Sequence, residues 1–462
     1  MNVLLIGGGG REHAIAWKLR QSPRLTDLHV APGNAGTAVI ANNLDLPIPK
    51  TAAPRAEVEA YLDAVVTKAR ELRVDLVVVA PDDPLAWGLI DRLQAAGIPA
   101  FGPTRAAAEI ESSKAWAKEF MARHAIPHTR TRTFNDVEAA REYVRSAGTR
   151  LVVKADGLAA GKGAIVTSSR EEALATVDQL MAERVFGEAG SRVVIEEWTT
   201  GREVSGHAFS DGQTAVPMPL SCDHKPVFDG NQGPNTGGMG VYSPPWWSTP
   251  AIERAVFEQV IRPAADGLRA EGRPFCGVIY PGLFVTEGGL SVFEFNARLG
   301  DPEAQALLPR LKSDLLDIVW ACVNGRLREV AVEWSEDACV CVVLASGGYP
   351  GEYRTGFPIS GLEAVDALVL FAYPLHPVGL PERLRDAHLP AIDVPTLFCS
   401  GTRDAFAAPE ELRAAAAKVP NALVHLLEGA DHGFAGTKGS GRTRKDIWTE
   451  AAGAALAFLM SS

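Results

Sequence analysis

The chain begins with a short apolar run, "VLLI", followed by four glycines and then by a charged, helix-compatible stretch, "REHAIAWKLR". That pattern predicts strand, tight turn, helix. The alternation continues through "TDLHVA", "AEVEAYLDAVVTKARELRV", "DLVVVAP", "GLIDRLQAAGI" and "PAFGP". Strand-length apolar runs between helix-length segments predict a parallel sheet with helices on both faces. Ligands bind beyond the carboxyl ends of such strands. Three loops fall there: Gly7–Arg11, "APGNAGT" at 31–37 and "APDDPL" at 80–85.

Further along, "ESSKAWAKEFMARHAIPHTR" predicts a helix carrying Lys114 and Lys118. It ends at the Ile126-Pro127 step, because a residue before proline is pushed out of the helical region. "RLVVKADGLAAGKGAIVT" predicts a strand ending at Lys154, a flexible Gly/Ala loop, then Lys162 and a second strand. "SRVVIEEWTTGREVS" reads as a strand running into an acidic linker, and "CDHKPVFDGNQGPNTGGMGVY" as a second glycine-rich loop headed by Asp223, His224 and Lys225. In "GGLSVFEFNARLGDPEAQALLP", strand alternation places Glu294, Asn296 and Arg298 on one face, with Phe293, Phe295 and Ala297 opposite.

Composition narrows the partners. A chain of 462 residues with 47% hydrophobic content supports about three domains. The net charge of −11, with no long basic block, argues against nucleic acid or an acidic membrane surface as a partner. No window approaches the ~18 consecutive apolar residues of a membrane span. The six cysteines include no C-x-x-C and no zinc-like spacing, so free thiols in a reducing, cytoplasmic setting are expected. Met1 leads straight into strand, with no signal-peptide pattern.

The first glycines fail the dinucleotide fingerprint. Glu12 and His13 stand where G-x-G-x-x-G needs its third glycine, and the next strand ends in Pro32-Gly33-Asn34 rather than in a ribose-binding acid. A phosphate-bearing small ligand and a plain tight turn remain open there. The loop at Gly161-Lys162 is not a Walker loop, since Gly163 follows the lysine. The acid, amide and guanidinium of residues 294, 296 and 298 match hard-cation ligands beside an anion binder, against the plainer reading of a solvated sheet face.

Six segments in order, "GGGGREHA", "PGNAGT", "FGPTRAAAEIESSKAWAK", "VVKADGLAAGKG", "DGNQGPNTGGMG" and "EFNARLGDPE", resemble the glycinamide ribonucleotide synthetases (phosphoribosylamine–glycine ligases) of the ATP-grasp superfamily, from residue 1 to about 365. The resemblance implies an α/β and α+β multidomain fold: an N-terminal parallel α/β substrate domain over 1–103 and an ATP-grasp domain over 104–330, with a lid at about 125–192. A remnant of the C-terminal domain would cover 331–365. It implies joining of glycine to 5-phosphoribosylamine through a glycyl phosphate, using ATP and magnesium or manganese, in a cytoplasmic monomer. By the same resemblance, Lys114 and Lys154 grip the ATP phosphates under a lid loop that includes Gly157, Gly161 and Lys162. Glu196, Glu197 and Trp198 form the adenine hinge, and Glu203 sits near the ribose. Glu294 and Asn296 hold the metal. Gly8, Gly9, Gly10, Arg11, Asn34, Asp223, Lys225 and Arg298 surround the substrates, with Arg298 and Lys154 the catalytic candidates. Three positions depart from the family pattern: Asp82 in "APDDPL", Asn231 in "DGNQG" and Leu299 in "RLGDPE".

After about residue 365 the resemblance changes. Residues 366–462 resemble the last part of a dienelactone-hydrolase-like α/β-hydrolase, with Asp404 and His432 as its acid and base. No serine in the chain has glycine at both −2 and +2, so the nucleophile elbow is missing. A partial sheet of this kind is expected to leave an edge and one face uncovered. Two alternatives to a ligase follow: an ATP binder that lost turnover with its C-terminal domain, and, less well supported, a hydrolase.

Overall fold

The computed structural model describes every residue except 158–162, 186, 229, 231, 358–367, 372–374, 377–381, 383, 385, 387, 388, 393, 438–441 and 462. Gly161, Lys162 and Asn231 lie outside the described residues. Two compact units are present, Met1–Arg354 and Thr355–Ser462.

The first unit opens with a parallel sheet of β1 (Asn2–Gly7), β2 (Asp27–Pro32), β3 (Asn42–Asn43), β4 (Leu76–Val79) and β5 (Ala100–Phe101), in the order β3-β2-β1-β4-β5. The chain leaves β1 on one side for β2 and returns on the other as β4. The glycine loop after Gly7 therefore lies at the topological switch point, where the two connections diverge and leave a crevice. Alternation along β1 sends Leu4 and Ile6 into one core with Tyr61, Val65 and Leu89, and Val3 and Leu5 into another with Ile15, Leu19 and Leu315. Each such fully buried aliphatic side chain contributes about 1.5–3 kcal/mol. Both cores run on into later strands through Val204, Ile279 and Val292 on one side and Phe209 and Val278 on the other. The sheet and the region after it are thus packed as one body.

A four-stranded antiparallel sheet follows, β6 (Thr131–Phe134), β7 (Leu151–Ala155), β8 (Ala164–Val166) and β9 (Val193–Glu197), in the order β6-β9-β7-β8. It closes its own small core with the helices Val137–Ser146 and Arg170–Val177. Next come β10 (Arg202–Ser205), β11 (Ala208–Asp211), β12 (Ala215–Pro217), β13 (Cys222–Asp223), the hairpin of β14 (Pro226–Phe228) and β15 (Gln232–Asn235), and β16 (Gly240–Ser243). The long β17 (Cys276–Thr286) pairs with β10, β11 and β18 (Gly289–Asn296). A last strand, β19 (Cys339–Val342), is the edge of a small sheet on β16. Val340 and Val342 are 68% and 70% exposed there, an open apolar edge of the kind that proteins normally cover.

The second unit is a parallel sheet of β20 (Leu368–Phe371), β21 (Thr396–Gly401) and β22 (Ala422–Leu427), in that order, with helices Pro409–Ala416 and Arg444–Ser461. The expectation of an uncovered face does not hold. Phe398 packs with Leu412 and Ala415 of the first helix, whereas the next residue, Cys399, packs with Ile447 and Ala451 of the second. Successive side chains of β21 point to opposite faces, and each face has its own helix. Among the described residues, no helix is long and apolar enough to cross a membrane. All six cysteines are unpaired.

Candidate active site

The glycine turn is built tightly. Gly7 has φ of +129°, and a Cβ there would lie 2.3 Å from Cγ of Glu12, so only glycine fits. Glu12, the third residue of the helix Gly10–Leu19, accepts the Gly9 N–H at 2.6 Å and pairs with Nε of Arg11 at 2.6 Å. Arg11 also donates to the carbonyl of Leu299 at 3.3 Å. Asn34 clasps the turn from β2's end, its Nδ2 donating to the carbonyls of Gly8 and Gly9 at 3.1 and 3.0 Å. The helix start therefore already holds a carboxylate. Glu12 was not singled out by sequence reading, although its spacing from Gly9 is that of a capping box.

The helix Lys114–Arg123 presents Lys114 and Lys118 one turn apart on the same side. Lys114 donates to the carbonyl of Gly157 at 2.9 Å, where β7 passes into the glycine loop. Asp156 beside it accepts from the Ala115 N–H and from Ser113 at the start of that helix, and pairs with Arg192. The loop's entry is thus pinned to the helix. Burial lowers the Lys114 pKa, against the pull of Glu294.

Glu196, on β9, is 2% exposed. Its Oε1 lies 2.8 Å from Nζ of Lys154 and 3.2 Å from Nζ of Lys118, and its Oε2 accepts from Thr129 at 2.6 Å. Burial alone would raise this carboxyl, but the two lysines outweigh it and bring it down to about 2. Glu197, next on the strand, faces the other way and is half-exposed, 3.9 Å from Arg130. Trp198 is 41% exposed with the Arg150 guanidinium 4.8 Å over its ring. The two expected hinge acids therefore face different surroundings.

Lys225 lies among three carboxylates: Glu203 at 2.7 Å, Glu294 at 3.8 Å and Asp223 at 4.0 Å. Despite its own burial, they hold its ammonium firmly protonated. Asp223 is pushed up by burial, with Lys225 opposing, and its Oδ1 has no partner.

The strict alternation expected of residues 293–298 fails at one position. The pairing of β17 with β18 shifts between Gly282 and Leu283, which face Glu294 and Val292, so Phe293 is an extra residue in a bulge. Its ring turns to the polar side, 4.7 Å from Nζ of Lys225 and 5.7 Å from that of Lys154. Phe295 and Ala297 enter the core as expected. Glu294 remains among Lys225, Lys154 and Lys114, which lower its pKa against the desolvation of burial. Oδ1 of Asn296 accepts from Arg298 at 3.3 Å.

Arg298 is anchored by a residue that sequence reading missed. Oε1 of Glu111 lies 2.8 Å from Nη2 of Arg298, and Oε2 accepts the Ala297 N–H at 2.8 Å. Behind Arg298, His207 is fully buried and stacks on Tyr280 at 4.1 Å, with neither ring nitrogen partnered. The Tyr280 hydroxyl donates to Glu303 at 2.6 Å. Neither Glu111 nor His207 carries a local sequence signal, since each meets its partner only across the fold.

The arrangement gathers Lys114, Lys154, Lys225, Glu294, Asn296 and Arg298 from the helix Lys114–Arg123, β7, the segment between β13 and β14, β18 and the loop after it. Cations for phosphate, an acid and amide for a hard cation, and a fixed guanidinium are what phosphoryl transfer to a carboxylate requires. In the second unit, Nδ1 of His432 meets both oxygens of Asp404 at 3.0 and 2.9 Å. Asp404 is further held by Ser400 at 2.7 Å and by the Phe406 N–H at 2.9 Å.

Comparison with known proteins identifies two families along the chain. Residues 1–111 match the phosphoribosylglycinamide synthetase N domain and residues 112–304 its ATP-grasp (A) domain. Residues 351–460 match an alpha/beta hydrolase domain. The chain is 47% identical over 367 residues to a phosphoribosylamine–glycine ligase of Vibrio vulnificus, covering 79% of this chain and 83% of that protein. It is 46% identical over 376 residues to one from Salmonella typhimurium, covering 80% and 86%. The crystal structure of a phosphoribosylamine–glycine ligase from Thermotoga maritima superposes with a TM-score of 0.65 at 31% identity, covering 77% of this chain and 83% of that one. Through its first unit, the chain belongs to the phosphoribosylglycinamide synthetase family, the phosphoribosylamine–glycine ligases.

Proposed function

We propose that the chain joins glycine to 5-phosphoribosylamine at the expense of ATP, giving glycinamide ribonucleotide, ADP and phosphate. The observation that carries this reading is the cluster of Lys225 at 3.8 Å from Glu294, Lys154 on the carbonyl of the preceding residue, Phe293, and Arg298 fixed by Glu111. Lys114 and Lys154 neutralise the ATP phosphates. Glu196, Glu197 and Trp198 border the adenine, and Glu203 the ribose. Arg298 orients the glycine carboxylate for attack on the terminal phosphoryl group, and holding the two in line supplies much of the rate. The amine of phosphoribosylamine then displaces phosphate from glycyl phosphate. Gly8–Arg11 and Asn34 receive the ribose phosphate, with Asp223 and Lys225 at its reacting end.

Magnesium or manganese fits the residues present. One carboxylate and one amide oxygen, Glu294 and Asn296, suit a cation that takes few protein ligands and completes its shell with phosphate and water. When bound, the ion supplies charge neutralisation between the phosphates.

The test is ADP release by the full-length chain with ATP, magnesium, glycine and phosphoribosylamine formed in situ, each omitted in turn. Release that needs both glycine and phosphoribosylamine supports the ligase. A second reading, an ATP binder without turnover, draws on the open apolar edge of β19 and the change of family at residue 351. It predicts ATP binding with no glycine-dependent release.

A further inference from the structure

Lys118 is 5% exposed and points away from solvent, yet nothing in the proposed reaction uses it. Its ammonium donates to Thr129 at 2.7 Å and to the carbonyl of Val292 at 3.3 Å, and pairs with Glu196 at 3.2 Å. Two hydrogen bonds and one ion pair thus hold it in place. Lys154 reaches the same oxygen of Glu196 and donates to the carbonyl of the next residue of β18, Phe293, at 3.0 Å. Lys154 is held by one hydrogen bond and one ion pair, one hydrogen bond fewer than Lys118. Two lysines on one buried carboxylate leave one positive charge in excess.

We propose that Lys118 is the resident counter-ion of Glu196, whose presence frees Lys154 to give its charge to the nucleotide phosphates. This rests on the ATP-dependent reading above. Lys118 is then a positioning residue that acts through Glu196. Without it, Lys154 is the sole neutralising partner of a carboxylate that has no solvent to turn to, and drawing Lys154 towards a phosphate strands that charge. Thr129 reinforces the assignment: it accepts from Lys118 while donating to Oε2 of Glu196, so one hydroxyl locks the fixed lysine to the carboxylate. The other charged groups that act on Lys118 are Lys154 of β7 and Glu294 of β18. Burial and Lys154 disfavour its charge, whereas Glu196 and Glu294 sustain it.

The experiment is a double-mutant cycle on the full-length chain, read as affinity for magnesium–ATP by calorimetric titration, with melting temperature recorded for each variant. K118M is expected to weaken ATP binding by about tenfold, the worth of one charge-assisted hydrogen bond. K118R, which keeps the charge, is expected to restore most of it. In the E196Q background the carboxylate is gone, so adding K118M is expected to change ATP affinity by less than about twofold. Equal affinity of K118M and wild type overturns the proposal. So does a further tenfold loss on adding K118M to E196Q, since Lys118 would then act on ATP without Glu196. If K118M alone fails to fold, K118Q takes its place in both backgrounds, with the same expected and overturning results. Failure of the wild-type chain to bind ATP at all removes the functional reading itself, a result distinct from either of these.

Discussion

Replacing Glu111 by glutamine tests how Arg298 is held. The carboxylate of Glu111 makes two contacts, 2.8 Å to the Arg298 guanidinium and 2.8 Å to the Ala297 N–H. The side chains are 8% and 17% exposed, so solvent does little to replace the lost partner. Burial pushes the Glu111 carboxyl up, while the pair holds Arg298 protonated. The charged state is the one that fits the contacts, because a protonated carboxyl would lose acceptor capacity towards one of its two donors. Glutamine keeps an oxygen for Ala297 but turns an N–H₂ towards the guanidinium. The other contacts of Arg298, to Leu299 and Asn296, are both 3.3 Å and weak. Leaving a buried charge without its partner costs about 3–5 kcal/mol. At roughly 2 cal/mol/K of unfolding entropy per residue, a unit spanning Met1–Arg354 melts about 4–7 °C lower. Thermal unfolding with ADP release at varied glycine is the assay. Both a lower melting point and a raised glycine requirement are expected. A melting point within about 1 °C of wild type, with unchanged glycine dependence, would mean that Glu111 is uncharged in the fold and that the anchoring argument is wrong.

Glu294→Ala is expected to cut turnover by orders of magnitude with little change in melting temperature, because its carboxylate serves the ion and the lysines rather than a core; near-full activity would defeat the metal assignment. His207, buried with neither ring nitrogen hydrogen-bonded, has its pKa lowered to about 3, first by burial and then by Arg298. The unfolded chain takes up that proton near pH 6.5, so the stability held above this pH drains away as the pH falls from about 6.5 towards 3. His207→Phe should flatten the acid side of the stability–pH curve, and an unaltered curve would show that His207 does not titrate with unfolding. A serine-directed fluorophosphonate probe should leave the chain unlabelled, since Asp404 and His432 form an acid–base pair with no G-x-S-x-G elbow in the chain. Labelling of any serine at a rate above that of the unfolded chain would reopen the hydrolase reading.

Much of this protein was legible along the chain. Strand–helix alternation foretold the parallel sheet because both faces of such a sheet are buried, and burial writes itself into sequence as near-continuous apolar runs. The glycine turn, Lys114, Lys154, Lys225 and Glu294 were visible as motifs, because tight backbone turns and phosphate chemistry restrict which residue types can serve. What the chain order could not express was who faces whom. The bulge that turns Phe293 towards the lysines arises from the register of β18 on β17, a pairing between strands. Glu111 and Arg298 are 187 positions apart, yet they meet at 2.8 Å, and an ion pair closed across a fold leaves no local spacing to read. Glu196 and Glu197 are neighbours with the same side chain, and only the packing of β9 against the helix Lys114–Arg123 made one a buried counter-ion and the other a half-exposed acid. The residue types present were thus a matter of sequence. Which of them are charged, paired or free to act was decided by burial, since desolvation and distance depend on three-dimensional neighbours.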